Sequence, residues 1–123
     1  MSKHIMVVDD SKTIRNLLAF VIKSEGFRVT IAEDGLDGLE KLYNSEDAVD
    51  LIVSDVNMPR MDGFTFIKTL REQDAYKDVP IIVLSTEGKE KDIAMGMSLG
   101  ANLYMVKPAE PAKMIRNIKM LLG

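Results

Sequence analysis

The chain has no cysteine, which excludes disulfides, thiol nucleophiles and thiolate metal sites. That absence fits a reducing compartment. Its one histidine, His4, opens an apolar stretch and is read as structural. There is no basic excess: 16 Lys and Arg against 19 Asp and Glu leave a formal charge of −3. Nothing therefore asks for nucleic acid as a direct partner. No apolar run approaches the roughly 20 residues that span a bilayer, and no apolar leader opens the chain. Membrane insertion is not expected, and the cytoplasm is the expected compartment. Linkers, low-complexity tracts and internal repeats are also missing. What is present is the balance of an ordinary globular domain, 46% hydrophobic and 28% charged over 123 residues. That length fits one domain, residues 1–123, with no effector domain expected after it.

Apolar runs and amphipathic stretches alternate along the chain. His4–Val8 is a first strand that ends in Asp9-Asp10. Ile14, Leu17, Leu18, Val21 and Ile22 follow with helical spacing, and Gly26 closes that helix. Phe27, Val29 and Ile31 alternate with polar residues, so this strand belongs near a sheet edge. Leu36, Leu39 and Leu42 mark a second helix beginning near Asp34-Gly35. Leu51–Val53 is a third strand, buried on both faces and closed by Asp55. Phe64, Ile67 and Leu70 give a third helix; Pro80–Leu84 gives a fourth strand that runs into Ser85. Lys89–Leu99 is helical with a poor apolar stripe. Asn102–Val106 is a fifth strand closed by Lys107-Pro108, and Met114, Ile115, Ile118, Leu121 and Leu122 form the last helix. Strand–helix alternation of this kind means an α/β protein, with a parallel sheet, helices on both faces and right-handed crossovers.

Polar residues stand where these apolar strands end: Asp9 and Asp10 after the first, Asp55 after the third, Ser85 after the fourth and Lys107 after the fifth. In a parallel sheet those ends share one edge, the edge where ligands bind. Each residue alone has a plainer reading. An Asp pair or a Ser after a strand often caps a helix, a lone Asp starts a turn, and a Lys before Pro is usually solvated. Together they describe a site. Three neighbouring carboxylates repel unless a cation joins them, and oxygen donors without His or Cys favour Mg²⁺. A metal, a Lys and a hydroxyl suit a phosphoryl group, and Asp55 can serve as the nucleophile that forms an acyl phosphate.

Asp9-Asp10, Asp55 with Asn57-Met58-Pro59 and Asp62-Gly63, Ser85, and Lys107-Pro108 together resemble the receiver domain of two-component response regulators. Asn57, Glu87 and Tyr104 bring it nearest to single-domain chemotaxis regulators of the CheY type. The resemblance implies a flavodoxin-like, doubly wound (βα)5 fold with strand order 2-1-3-4-5. It implies that Asp55 accepts a phosphoryl group from a CheA-type sensor histidine kinase. Asp9, Asp10, Asp55 and the Asn57 carbonyl would hold Mg²⁺, and Lys107 would contact the phosphoryl oxygens. Ser85 would swing inward and Tyr104 would turn from an exposed to a buried rotamer. Asn57 and Glu87 would tune hydrolysis of the acyl phosphate. The fourth helix, fifth strand and fifth helix would form the output face for a downstream target such as a flagellar motor switch protein, with Met95 and Met97 as adaptable contacts. Thr86, large for its place, is expected to crowd Tyr104. The chain would act as a monomeric switch that assists its own phosphorylation and dephosphorylation, not as an enzyme on external substrates.

Rival readings remain. A Mg²⁺-dependent phosphatase with an Asp nucleophile usually needs a second carboxylate two residues on, where this chain has Asn57. A pilus-motility or phosphate-sink receiver keeps the same site with a different output. A nucleotide-binding fold lacks both of its glycine-rich phosphate loops here.

Overall fold

A computed structural model describes residues 2–123. Among them, five strands and five helices alternate: β1 His4–Val8, α1 Lys12–Ser24, β2 Arg28–Ala32, α2 Gly35–Asn44, β3 Leu51–Ser54, α3 Gly63–Arg71, β4 Ile81–Ser85, α4 Glu90–Leu99, β5 Leu103–Val106 and α5 Pro111–Leu122. The strands form one parallel sheet in the order β2-β1-β3-β4-β5, the doubly wound flavodoxin-like arrangement expected from the sequence. No helix among the described residues is long and apolar enough to cross a membrane.

Successive strand residues point to opposite faces, so a strand covered on both sides must be apolar throughout. β1, β3 and β4 meet that condition and are buried along their whole length. Met6, Val8, Ile52, Ile81 and Val83 face one core, closed by Leu39 and Leu42 of α2 and Phe66, Ile67 and Leu70 of α3. Ile5, Val7, Leu51, Val53, Ile82 and Leu84 face the other, closed by Leu18 and Ile22 of α1 and Met114, Ile115 and Ile118 of α5. β2 is an outer strand and only Ala32 of it is buried.

Side chains and glycines close the helix ends. Ser11, Asp34 and Asp62 each accept an N–H from the first turn of α1, α2 and α3. Gly26 (φ +90°) follows α1 and Gly100 (φ +118°) ends α4, both in the left-handed region that favours glycine. α4 is the least buried helix. It has no side-chain cap, and Gly96 is its one buried residue.

His4 lies far from the polar edge, at the opening of β1. Its ring bonds the Ala48 carbonyl (3.3 Å) and the Thr30 hydroxyl (2.7 Å), which fits the structural role expected of it.

Candidate functional site

Strand register assembles the site. Val8 pairs with Ser54, so the residues that follow, Asp9 and Asp55, emerge side by side. Ser85 pairs with Val106, which brings Lys107 to the same edge. The ladder continues past the strand ends: the Asp55 N–H donates to the Val8 carbonyl (2.9 Å), and the Lys107 N–H donates to the Ser85 carbonyl (2.8 Å). The carboxylates are thus held by backbone on both sides of the crevice.

Asp9, Asp10 and Asp55 each offer an oxygen within 4.8 Å of the others. Asp9 and Asp55 are buried and Asp10 is exposed. The Lys107 ammonium donates to Asp9 Oδ2 at 2.8 Å and to Asp55 Oδ2 at 3.2 Å, with its side chain 11% exposed. One cation therefore serves two buried anions, with a third at the rim. The balance is visible in the proton affinities. Burial, and then the Asp9 charge, push the Asp55 carboxyl above its ordinary pKa, against the Val56 N–H and Lys107. Burial would lower Lys107, but the two carboxylates outweigh it and raise its pKa. Three carboxylate oxygens gathered this closely, with no nitrogen or sulfur donor among them, fit a hard cation such as Mg²⁺.

Asp55 is fixed from below by two contacts. The Val56 N–H donates to its Oδ1 at 2.7 Å. Gly63 packs on its backbone so closely that an added Cβ would lie 2.0 Å from the Asp55 carbonyl oxygen. Gly63 also closes the β3–α3 loop by donating to the Val56 carbonyl (2.8 Å). Asp62-Gly63 entered the sequence reading as part of the family resemblance; the need for glycine comes from a backbone approach that no local pattern reveals.

The other singled-out residues fall into two places. Asn57 lies at the rim, where its amide donates to Glu87 Oε1 at 2.8 Å, a bridge from the β3–α3 loop to the β4–α4 loop. Ser85 is buried, and its hydroxyl accepts the Glu87 N–H at 3.1 Å. Tyr104 is half-buried rather than exposed. Its hydroxyl donates to the Glu87 carbonyl, and its ring lies against Gly96, where a Cβ would come within 3.0 Å of it. Burial raises the Tyr104 pKa; the Ser85 hydroxyl opposes this, and the Asp92, Glu87 and Asp55 charges add to it. Thr86 lines a pocket with Ile14, Leu17, Leu18, Leu84 and Lys107 on the α1 side.

Over 119 residues, 96% of this chain and 81% of the relative, it is 36% identical to the chemotaxis protein CheY of Treponema pallidum. The chemotaxis protein CheY4 of Vibrio cholerae superposes with a TM-score of 0.91 at 35% identity, covering 98% of this chain and 99% of that one. The CheY of a CheX–CheY–BeF3–Mg complex from Borrelia burgdorferi gives 0.90 at 30% identity, covering 98% and 90%. With the response regulator receiver domain matched across residues 5–119, a buried aspartate beside a second carboxylate and a lysine stands on the framework of that family, and the chain belongs to it.

Proposed function

We propose that the chain is a phosphorylation-driven binding switch in which Asp55 accepts a phosphoryl group from a phosphohistidine of a CheA-type sensor kinase. The single observation that carries this is Lys107 shared between Asp9 and Asp55. A buried carboxylate with an incompletely neutralised neighbour is a poor structural device and a good acceptor site.

Mg²⁺ fits the donor set, and Asp9, Asp10, Asp55 and the Asn57 carbonyl are the groups that would hold it. When bound, it neutralises charge on the cluster and on phosphoryl oxygens. The protein's own part is positioning. The Val56 N–H keeps one Asp55 oxygen fixed, leaving Oδ2 toward Lys107 as the acceptor. Attack by Oδ2 on phosphorus forms the acyl phosphate and releases the donor imidazole. Lys107 then pairs a phosphoryl oxygen in place of the Asp55 oxygen it holds. Ser85, once it gives up the Glu87 N–H, can donate its hydroxyl to another.

Readout runs through Glu87 and Tyr104. The Glu87 backbone is held by Ser85 on its N–H and by Tyr104 on its carbonyl. A move of Ser85 therefore reaches the Tyr104 ring, and through Gly96 reaches α4. α4 buries only Gly96 and exposes Met95 and Met97, while β5 exposes Val106. The α4–β5–α5 surface is accordingly the output face, and a flagellar motor switch protein is the kind of target it serves. Asn57 and Glu87, bridged at the rim, govern access of water to the acyl phosphate. Residues 1–123 work as one receiver unit, monomeric and in the cytoplasm.

The test is incubation with acetyl phosphate and Mg²⁺. One acid-stable, hydroxylamine-labile phosphate per chain is expected, reduced to background in Asp55→Asn. Repeated turnover of a simple phosphate ester, without a labelled protein, would instead make the chain a phosphatase and end this reading.

A further inference from the structure

Among the described residues outside the crevice, one charged side chain is almost completely buried: Asp34, at the start of α2, with its side chain 1% exposed. Its partner is Arg60, at the tip of the β3–α3 loop. The guanidinium fork donates Nε–H to Oδ2 at 2.7 Å and Nη2–H to Oδ1 at 3.1 Å. Burial would raise the Asp34 pKa, but Arg60 and the N–H groups of α2 outweigh it and lower it. The pair is thus well compensated, unlike the carboxylates of the crevice. Arg60 holds its place in the left-handed region, φ +61°, which an ordinary L-residue adopts only at a cost. Beside it the Gly35 N–H donates to the Met61 carbonyl at 3.0 Å. Gly35 and Met61 meet so closely that a Cβ at 35 would lie 2.6 Å from Met61 Cγ.

The loop from Asn57 to Asp62 is therefore fastened at two points. Its neck is closed by Gly63 on Val56, directly behind Asp55. Its tip is fastened by Arg60 and Met61 to the start of α2. Asn57 lies between these fasteners. We propose that Arg60 and Asp34 are positioning residues which hold the Asn57 backbone where a divalent cation at Asp9, Asp10 and Asp55 can use its carbonyl. This rests on the reading of that cluster as a Mg²⁺ site. A purely structural role is distinguishable, because Asp34 caps α2 without help from Arg60: its Oδ1 accepts the Asp37 N–H at 2.9 Å. Removing the guanidinium leaves the Asp37 N–H on Asp34 and loosens the loop tip, which then keeps only the Met61–Gly35 bond.

The experiment is a Mg²⁺ titration of the full chain, followed by the amide resonances of residues 55–63 and of α2, with thermal melting alongside. Arg60→Gly removes the fork and suits the positive φ, and the melting curve reads the cost of leaving the Asp34 carboxylate without its cation. A roughly 10-fold weaker Mg²⁺ constant is expected, the scale of losing a group that orients a ligand, with the Asp37 amide still protected from exchange. Arg60→Lys, one charge without the fork, is expected between the two. Asp34→Asn should weaken binding to the same degree, and the Arg60→Gly/Asp34→Asn double variant should be no worse than either. A constant within twofold of wild type in Arg60→Gly overturns the proposal. Independent, additive losses in the double variant overturn it as well. Wild-type chain that fails to bind Mg²⁺ at all would remove the underlying metal site, a different result from the first two.

Discussion

The two edges of the sheet bury polar groups in opposite ways. At the amino edge His4 is 6% exposed, and every polar atom of it has a partner: Ala48 and Thr30 for the ring, Asp50 for the backbone N–H at 2.8 Å. At the carboxyl edge Asp55 is 7% exposed, yet it faces a second buried carboxylate and shares one lysine with it. The burial is nearly equal while the electrostatic balance is not. A buried polar group that is fully satisfied specifies a structure; one left short of countercharge is available for chemistry. The contrast predicts that substitutions at the two edges will differ in their response to Mg²⁺, even where their cost is similar.

The largest effect should come from Lys107→Met. It leaves two buried carboxylates facing each other without a cation, and removing one partner of a buried ion pair costs about 3 kcal/mol. Urea unfolding without metal should show this loss, and millimolar Mg²⁺ should recover much of it, because a divalent ion replaces the missing charge. If Mg²⁺ restores nothing, the carboxyl edge is an ordinary ion pair and the contrast fails. Gly63→Ala comes next. Its Cβ would meet the Asp55 carbonyl oxygen at 2.0 Å, a backbone atom that cannot swing aside, and a loss of about 2 kcal/mol is expected. Mg²⁺ should be bound less tightly in this variant, since Asp55 itself must shift. Gly26→Ala, with no atom within 4 Å of the added Cβ, is the control: its positive φ costs about 1 kcal/mol and Mg²⁺ affinity stays as it was.

At the amino edge His4→Phe should cost about 1 kcal/mol through the unpaired Thr30 hydroxyl and Ala48 carbonyl. Its stability should not depend on Mg²⁺ beyond the gain wild type shows. A variant at His4 that altered the metal constant would mean the sheet transmits between its edges, which the comparison denies.

How much of this was legible in the sequence follows from the same contrast. Asp9, Asp55 and Lys107 interrupt apolar strands at their ends, so a local pattern exposes them, and strand alternation brings them to one edge. Pairing Val8 with Ser54, which sets Asp9 beside Asp55, needed the strand order, and that came from family likeness rather than from periodicity. Tertiary closeness had no local signature. Arg60 reads as an exposed loop cation and Asp34 as a helix cap; their 26-residue separation hides the pair. Nothing local in the sequence explains Gly96; the Tyr104 ring lying against it does.

The finest test of the comparison is the pH dependence of Asp55. Burial and the Asp9 charge raise its pKa in the folded chain. The folded state therefore takes up this proton at a higher pH than the unfolded chain does. Stability falls as pH rises wherever the folded state holds more protons, so ionised Asp55 costs stability at neutral pH, and acid relieves that cost. Lys107 has the opposite character. Its raised pKa contributes stability that is complete at neutral pH and is lost only as pH rises through the alkaline range. Asp34, lowered, contributes stability that is lost only as pH falls below the ordinary carboxylate range. Between pH 7 and that range Asp55 is thus isolated by subtraction against Asp55→Asn, which keeps an acceptor for Lys107 but no charge. The variant should be the more stable protein at pH 7 without metal, by less than the His4 effect. Its advantage should shrink as pH falls through the folded pKa of Asp55, and should vanish at pH 7 when saturating Mg²⁺ supplies the missing countercharge. A variant that is less stable than wild type at pH 7 in metal-free buffer would show that Asp55 is as well satisfied as His4, and the distinction between the two edges would be gone.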